Sequence, residues 1–143
     1  MSRIEWNDSL KSNHEEIDKQ HYRWIEIYNK LHDTLLSKGS VDNLLDITRD
    51  TLKSIEDYAQ YHFKYEEEFM KTMNFPHIVE HKRLHKDFDT QIYELNRDIR
   101  EGRAVLNTQL IKMMKNWIED HILNSDKKYI EYYNSHYKQD TWK

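Results

Sequence analysis

Very few residues in this chain interrupt a helix. The helix breakers are two glycines and one proline: Gly39, Gly102 and Pro76. Proline lacks an amide proton and glycine disfavours helix interiors, so these residues divide the chain into long uninterrupted segments. Apolar residues recur every three or four positions within each segment, as Trp24 and Tyr28 do in the first. This spacing predicts amphipathic helices, and no alternating pattern typical of strands competes with it.

Four such segments joined by short connections predict an all-α fold, an antiparallel up-down-up-down four-helix bundle. The chain has 143 residues, the size of one domain, so we expect a single domain over 1–143. The bundle is predicted at about 13–126, after an extended N-terminal arm at 1–12. The C-terminal segment, 127–143, is expected to include a short helix. The arm has three apolar anchors: Ile4, Trp6 and Leu10.

Details of the helices can also be predicted. The first helix has two possible capping boxes, one from Ser12 to Glu15 and one from Asn13 to Glu16. The predicted apolar faces include Leu84 in the third helix and Met113 in the fourth.

Composition excludes several classes of protein. The chain has no cysteine, so neither a disulfide framework nor a thiolate metal site can form. Charged residues are 34% of the chain and no long apolar run occurs, which argues against a membrane span. The first residues contain no apolar segment suited to a secretory signal, so a cytoplasmic location is expected. The net charge is −4 without a basic block, which argues against nucleic acid as a partner.

Possible metal ligands occur at helical spacings along the chain. The series is His21, His62-x-x-x-Glu66, His81-x-x-x-His85 and His121-x-x-x-x-Asp126. Two of the three spacings are i,i+4, which places both side chains on one face of a helix. In an antiparallel bundle, the starts of helices one and three lie beside the ends of helices two and four. All seven residues therefore fall at one end of the bundle, and each interrupts an apolar face, so we expect them to point inward.

A single residue of this kind would be weak evidence for a metal site. A lone histidine on an apolar face is more often a hydrogen-bonded core residue, and a lone pair at i,i+4 arises freely on helix surfaces. Glu66 by itself would be read as part of the exposed run Glu66–Glu68. The whole set differs, because burying these groups together would cost several kcal/mol for each unpaired charge. A bound cationic centre removes that cost.

The ligand types indicate which metal. Structural zinc takes four ligands, so this set is too large for one ion. Calcium and magnesium prefer oxygen donors, whereas nitrogen donors dominate here. Two transition-metal ions bridged by the carboxylates suit the set, and the nitrogen majority favours iron over manganese. For two six-coordinate ions that also share a bridging oxygen, one position remains open, where a small molecule could bind.

The series resembles the hemerythrin family, specifically the stand-alone prokaryotic members called bacteriohemerythrins. All seven positions of the family pattern H…HxxxE…HxxxH…HxxxxD are matched. The flanking segments are similar as well, and the resemblance runs from about Trp6 to Tyr133. It implies reversible dioxygen binding, for oxygen transport, storage or sensing, at a non-haem di-iron centre with an oxo or hydroxo bridge. It also implies a protein that is not an enzyme.

The resemblance implies a role for each ligand. His81, His85 and His121 would hold one iron. His21 and His62 would hold the other iron, where dioxygen binds. Glu66 and Asp126 would bridge both ions.

Four further residues are candidates for the wall of a dioxygen pocket: Ile118, Trp24, Ile25 and Phe63. For these four, ordinary core packing is at least as strong an interpretation. The four remaining histidines have no place in the ligand pattern and are expected at the surface: His14, His32, His77 and His136.

Two other functions remain open at this point. A di-iron enzyme, such as an oxidase, a peroxidase or a nitric-oxide-handling protein, is one alternative. Carboxylate-rich di-iron proteins carry paired Glu-x-x-His motifs, and no glutamate here is followed three residues later by histidine. An iron-handling or signalling module is the other alternative. A protein partner that uses the oxygen is compatible with the sequence but is not indicated by any motif.

Overall fold

The computed structural model describes residues 3–12, 14–36, 41–103 and 108–138. Its α-helices are α1 (Glu15–Leu36), α2 (Val41–Thr72), α3 (Ile78–Arg100), α4 (Thr108–Asp120) and α5 (Asp126–Tyr133). No strand occurs in these ranges, so the all-α prediction is confirmed. None of the described helices has the length and hydropathy needed to cross a lipid bilayer. The predicted break at Gly39 lies outside the described residues.

Helices α1 to α4 form the bundle. Helix α1 packs against α2 and α4, and α2 packs against α3. The start of α1 lies beside the end of α2. This arrangement is seen from the rings of His21 and His62, whose centroids lie 4.7 Å apart. Consecutive helices therefore run antiparallel, as predicted.

Two tight turns end α2 and α3 in the same way. Asn74 and Gly102 have positive φ angles of 56° and 75°. After α2, the amide of Phe75 donates to the Met70 carbonyl at 2.9 Å. After α3, the amide of Arg103 donates to the Asp98 carbonyl at 2.8 Å. Both are Schellman motifs, which require a left-handed residue that asparagine or glycine supplies at low cost. The first turn reverses the chain so that His81 lies beside the end of α2.

The start of α1 differs from the predicted capping boxes. The amide of Ile17 donates to the His14 ring at Nδ1, at 3.3 Å, so His14 caps the helix. Ser12 instead donates through its amide and its hydroxyl to Asp18 Oδ1, at 2.8 and 2.7 Å. The box based on Ser12 is therefore wrong, because Asp18 competes for the serine. Asn13, on which the other box depends, lies outside the described residues.

The fourth helix continues into the C-terminal helix without a break in chain direction. A π-helical turn, His121–Ser125, joins α4 to α5. A second π-helical turn, Asn134–Lys138, follows α5. The short C-terminal helix is therefore an extension of the fourth bundle helix.

The N-terminal arm is bound to the bundle by its backbone. The amide of Ile4 donates to Asn29 Oδ1, and Asn29 Nδ2 donates back to the Ile4 carbonyl, both at 2.9 Å. Ile4 and Leu10 are buried and Trp6 is half-buried. The arm also contains a short 3-10 helix, Asp8–Leu10.

Three sequence expectations about exposure are wrong. Leu84 and Met113 are exposed, because each precedes by one residue a side chain that takes the inward position, His85 and Met114. Adjacent residues of an α-helix point about 100° apart, so both cannot face the core. His32 is buried, since it lies three helical turns after His21 on the same face. Its Nδ1 donates to Asp33 Oδ1 at 3.1 Å.

The core has two parts. The main cluster fills the bundle and includes Trp24, Leu52, Ile55, Phe88, Ile92 and Ile118. A smaller cluster, called the end cluster below, consists of Ile17, Met70, Met73, Phe75, Tyr129 and Ile130. Its members lie within about two turns of the predicted ligands in sequence, on the side toward the end of the bundle. The predicted metal site therefore lies between two apolar regions.

Candidate metal centre

The structure brings all seven predicted ligands together inside the bundle. They are His21, His62, Glu66, His81, His85, His121 and Asp126, and none exceeds 4% exposure. Six of them lie on helix faces that the periodicity predicts, and the seventh, Asp126, reaches the centre through a π-helical turn. Histidines and acidic residues are seldom buried together without compensation, so this convergence needs a physical explanation.

Three histidines form one group with the two carboxylates. Asp126 Oδ1 lies 2.9 Å from His81 Nε2 and 3.0 Å from His121 Nε2. His85 Nε2 lies 3.0 Å from His121 Nε2 and 3.3 Å from Glu66 Oε1. The potential ligand atoms of all five residues lie within 4.8 Å of one another.

Two histidines form the second group with the same carboxylates. Asp126 Oδ2 lies 2.8 Å from His21 Nε2, and Glu66 Oε1 lies 3.1 Å from His62 Nε2. These four residues also offer ligand atoms within 4.8 Å of one another. Glu66 and Asp126 therefore belong to both groups. The two oxygens of Asp126 face different groups, the geometry expected of a bridging carboxylate.

The π-helical turn places Asp126 in the site. In a regular α-helix, residues five apart point about 140° away from each other, because successive residues rotate by about 100°. Here the Asp126 amide donates to the His121 carbonyl, five residues back. This wider turn brings the two side chains onto one side of the helix. Single π-helical turns occur frequently at functional sites.

The buried polar atoms provide a test of whether the site fits metal ions. Four atoms at the centre have no hydrogen-bond partner: His62 Nε2, His81 Nε2, Glu66 Oε1 and Asp126 Oδ1. An unpaired buried polar group costs about 1–3 kcal/mol. All four could act as metal ligands, and imidazole with carboxylate is a donor set that suits iron. The residues therefore fit a pair of iron ions.

Hydrogen bonds from outside the cluster orient two of the rings. His62 Nδ1 donates to Gln20 Oε1 at 2.8 Å, and Gln20 Nε2 donates to Glu16 Oε1 at 3.0 Å. His85 Nδ1 donates to Glu67 Oε2 at 2.9 Å. In both rings the proton lies on Nδ1, so the Nε2 lone pair faces the centre. Such outer partners fix the tautomer and the direction of metal-binding histidines.

A tyrosine beyond the last ligand contacts the bridging glutamate. The Tyr129 hydroxyl donates to Glu66 Oε2. Tyr129 is completely buried, and burial together with the Glu66 and Asp126 charges raises the pKa of its phenol. The phenol therefore remains a donor at every physiological pH.

Within the cluster, the histidines and the carboxylates shift each other's pKa values. Burial opposes charge on His21, but hydrogen bonds to Asp126 and Glu66 outweigh it and raise the pKa of His21 to about 9. Burial likewise opposes charge on His121, and Asp126 and Glu66 raise its pKa to about 10. The nearby imidazoles lower the pKa of Glu66 and of Asp126 despite burial. Burial lowers the pKa of His62.

The four predicted pocket residues, Trp24, Ile25, Phe63 and Ile118, are all buried. Trp24 lies 5.4 Å from His62, between ring centroids. The Phe63 ring stacks on His85 at 3.9 Å. Aromatic and aliphatic side chains thus cover the bundle side of the cluster.

Sequence reasoning missed the contacts of three residues. Gln20, Glu67 and Tyr129 each contact a predicted ligand, as described above. Two of them adjoin a ligand in sequence, and Tyr129 lies one turn after Asp126. A polar residue next to a ligand, or one turn away on a buried face, is the signal that could have indicated them.

Comparison with known proteins agrees with this geometry. The family model described as the Hemerythrin HHE cation binding domain matches residues 12–133. The chain is similar to a bacteriohemerythrin of Stenotrophomonas maltophilia, with 30% identity over 97% of this chain and 87% of that protein. A myohemerythrin of Theromyzon tessulatum is 27% identical over 87% of this chain and 89% of its own length.

A solved structure is similar as well. The crystal structure of a wild-type hemerythrin superposes with a TM-score of 0.81 at 26% sequence identity. The match covers 90% of this chain and 95% of that chain. The four-helix arrangement is therefore shared along almost the full length of both proteins.

Proposed function

This chain belongs to the hemerythrin family, and we propose that it binds dioxygen reversibly at a non-haem di-iron centre. The observation that carries the proposal is the convergence of five imidazoles and two carboxylates into two groups that share both carboxylates. The orphaned polar atoms within those groups support it, because two cations would satisfy them.

The two groups suggest unequal roles. We assign His81, His85 and His121 to one iron, and His21 and His62 to the other. Glu66 and Asp126 would hold both. The ion with two imidazoles has fewer protein donors, so the small ligand would bind there. A pair of iron ions held in this way would supply reversible binding of dioxygen.

The protein's own contribution is to hold the donors and exclude water. Gln20 and Glu67 keep the Nε2 atoms of His62 and His85 directed at the centre. The Tyr129 hydroxyl fixes the orientation of Glu66. The main cluster and the end cluster cover opposite sides of the site. A dry site protects a bound ligand from proton-driven side reactions, which favours release of the ligand unchanged.

A binding protein is favoured over an enzyme by the donor set. Carboxylate-rich di-iron enzymes use paired Glu-x-x-His motifs, and this sequence has none. Here nitrogen donors form the majority, as the sequence predicted. We therefore propose transport, storage or sensing of oxygen without turnover.

We propose dioxygen as the ligand and a cytoplasmic location. The acidic chain, with net charge −4, gives no support to nucleic acid as a partner. A chain without cysteine gains nothing from an oxidising compartment, which supports the cytoplasm. Fractionation of cells that express the protein tests the location.

Oxygenation spectroscopy with metal analysis tests the function. Protein loaded with ferrous iron should contain two irons per chain, gain a visible absorption band in air, and lose the band under argon. Repeated cycles should preserve the band. Irreversible bleaching with oxidation of an added substrate would support an enzyme instead, and one zinc without iron would contradict both readings.

A substitution tests the assignment of the open iron. His62→Ala should abolish oxygenation, because it removes one of the two imidazoles assigned to that ion. His77→Ala is the matched control, since His77 is an exposed histidine near the same end of the bundle. An unchanged oxygenation spectrum in His62→Ala would contradict the assignment.

A further inference from the structure

The Trp24 side chain has an unpaired donor in the interior of the protein. Its ring is completely buried, and its Nε1 atom has no hydrogen-bond partner. Leaving a buried donor unpaired costs about 1–3 kcal/mol. Buried indole N–H groups usually find an acceptor, so this one needs an explanation.

The surroundings of Trp24 place its indole ring beside the metal site. Its ring centroid lies 5.4 Å from that of His62 and 6.5 Å from that of His121. The ring therefore adjoins one histidine from each ligand group. Phe63 and Phe88 meet the indole edge-to-face, with centroids at 5.4 and 5.5 Å. These two neighbours provide no oxygen acceptor.

Trp24 is also different from the other predicted pocket residues. Ile25, Phe63 and Ile118 carry no hydrogen-bond donor. A small ligand beside His62 would therefore meet apolar walls, with the indole N–H as the donor among these four side chains. In such dry surroundings a single donor has a large effect on a ligand atom that carries negative charge.

We infer that the Trp24 N–H donates a hydrogen bond to the small ligand bound beside His62. This inference rests on the proposed function, because it requires an iron-loaded site that accepts such a ligand. The ligand class is a diatomic or linear molecule whose outer atom bears negative charge, and azide is a suitable probe. The ligand-free protein keeps the donor unpaired, and ligand binding satisfies it.

The sharpest test removes the N–H but keeps the shape of the ring. Trp24 is replaced by 3-benzothienylalanine, in which sulfur stands in place of the indole nitrogen. Azide binding to the diferric protein is titrated spectroscopically. The affinity should fall about five- to tenfold, the loss of one hydrogen bond of ordinary net strength. Trp24→Phe should weaken binding at least as much, and Trp6→Phe, in the half-buried arm, is the control for tryptophan replacement.

A second measurement uses the metal-free protein. If the donor is unpaired there, the benzothienyl replacement should leave the thermal midpoint unchanged or raise it. Equal azide affinities for the wild type and the benzothienyl variant would overturn the inference. A lower midpoint of the metal-free variant would also overturn it, because the N–H would then have a partner within the protein, such as an aromatic face.

The two hypotheses fail in different ways. If the wild-type protein takes up no iron, or binds iron without oxygenating, the proposed function fails. If the wild type oxygenates reversibly while the benzothienyl variant binds azide as well as the wild type does, only the role of Trp24 fails.

Discussion

The two ends of the bundle are stabilised differently. At the end away from the ligands, called the distal half here, Leu52, Ile55, Ile92, Ile111 and Met114 pack together. At the metal end, five histidines and two carboxylates occupy the equivalent inward positions. The distal half therefore gains stability from burying apolar surface, at about 25 cal/mol per Å². At the metal end, the buried polar atoms must first be paired before this region adds to the stability of the fold.

Because of this difference, a single helix can stabilise the fold with one end and hold the ligands of the metal site with the other. Helix α2 supplies Leu52 to the distal half and Glu66 to the metal end, on the same face. A change in the distal half should alter how stable the protein is, whereas a change at the metal end should alter what the protein binds. The following predictions test that separation, from the largest expected effect to the smallest.

Metal loading should stabilise the metal end most. Each ion should add about 4 kcal/mol when its free concentration is a thousand times its Kd. Amide hydrogen exchange with and without iron measures the effect. Protection should rise mainly in the helix segments that carry the seven ligands, with less change around Leu52 and Ile92. Equal gains in protection in both halves would contradict the proposed difference between the two ends of the bundle.

Leu52→Ala should lower stability without changing metal content. Leu52 is completely buried in the distal half, and such truncations cost about 2–5 kcal/mol. Urea denaturation of the metal-free protein measures the loss, and metal analysis should still find two irons per chain. Loss of iron from this variant at temperatures where it is folded would show that the two halves are coupled.

Tyr129→Phe should destabilise the metal end by about 2 kcal/mol in the metal-free protein. The variant leaves a buried carboxylate oxygen of Glu66 without its donor, and hydrogen bonds to charged groups contribute about 1.5–3 kcal/mol. Tyr93→Phe is the matched control in the distal half, since Tyr93 is 55% exposed. Thermal unfolding compares the two variants, and equal midpoints would contradict the role of Tyr129.

Asp89→Asn should raise stability slightly, and only at higher pH. Asp89 lies on α3 one turn beyond His85, and burial raises the pKa of its carboxyl to about 6, with Glu56 and Glu67 assisting and His85 opposing. A raised pKa means that the contribution of Asp89 is complete below about pH 4 and is lost as pH rises through about 6.

The gain should be about 1 kcal/mol near pH 8, after a discount for the solvent that reaches this half-exposed group, and close to zero near pH 4. Urea denaturation of the metal-free protein at the two pH values measures it. A gain that does not depend on pH would mean that the charge of Asp89 is not the cause.

The sequence predicted the features that depend on helical period. The i,i+4 pairs His62–Glu66 and His81–His85 needed only a regular helix and inward faces, and both pairs point to the centre. The antiparallel order of the helices followed from few breakers and short connections. These features are determined locally, so a single sequence is enough.

The features that were missed depend on tertiary contacts or on irregular backbone. A regular helix could not place Asp126 beside His121, and no residue of 122–125 signals the π-helical turn. The burial of His32 and the exposure of Leu84 depend on which of several adjacent positions a neighbouring helix covers. The cap formed by His14 and the hydrogen bond from Ser12 to Asp18 are side-chain contacts that the capping-box motif does not predict.

The end cluster has a consequence for protein engineering. The seven ligands look like a portable unit, because three short motifs and one histidine contain all of them. Because the end cluster covers one side of the site, we expect that transplanting those motifs alone into another bundle would not reproduce the site. Ile17 and Met70 would be needed to close the host's open end, and the host would need a fifth helical segment to supply Tyr129. The minimal functional module is therefore the ligand set together with the end cluster, and that cluster extends past the last ligand into the C-terminal helix.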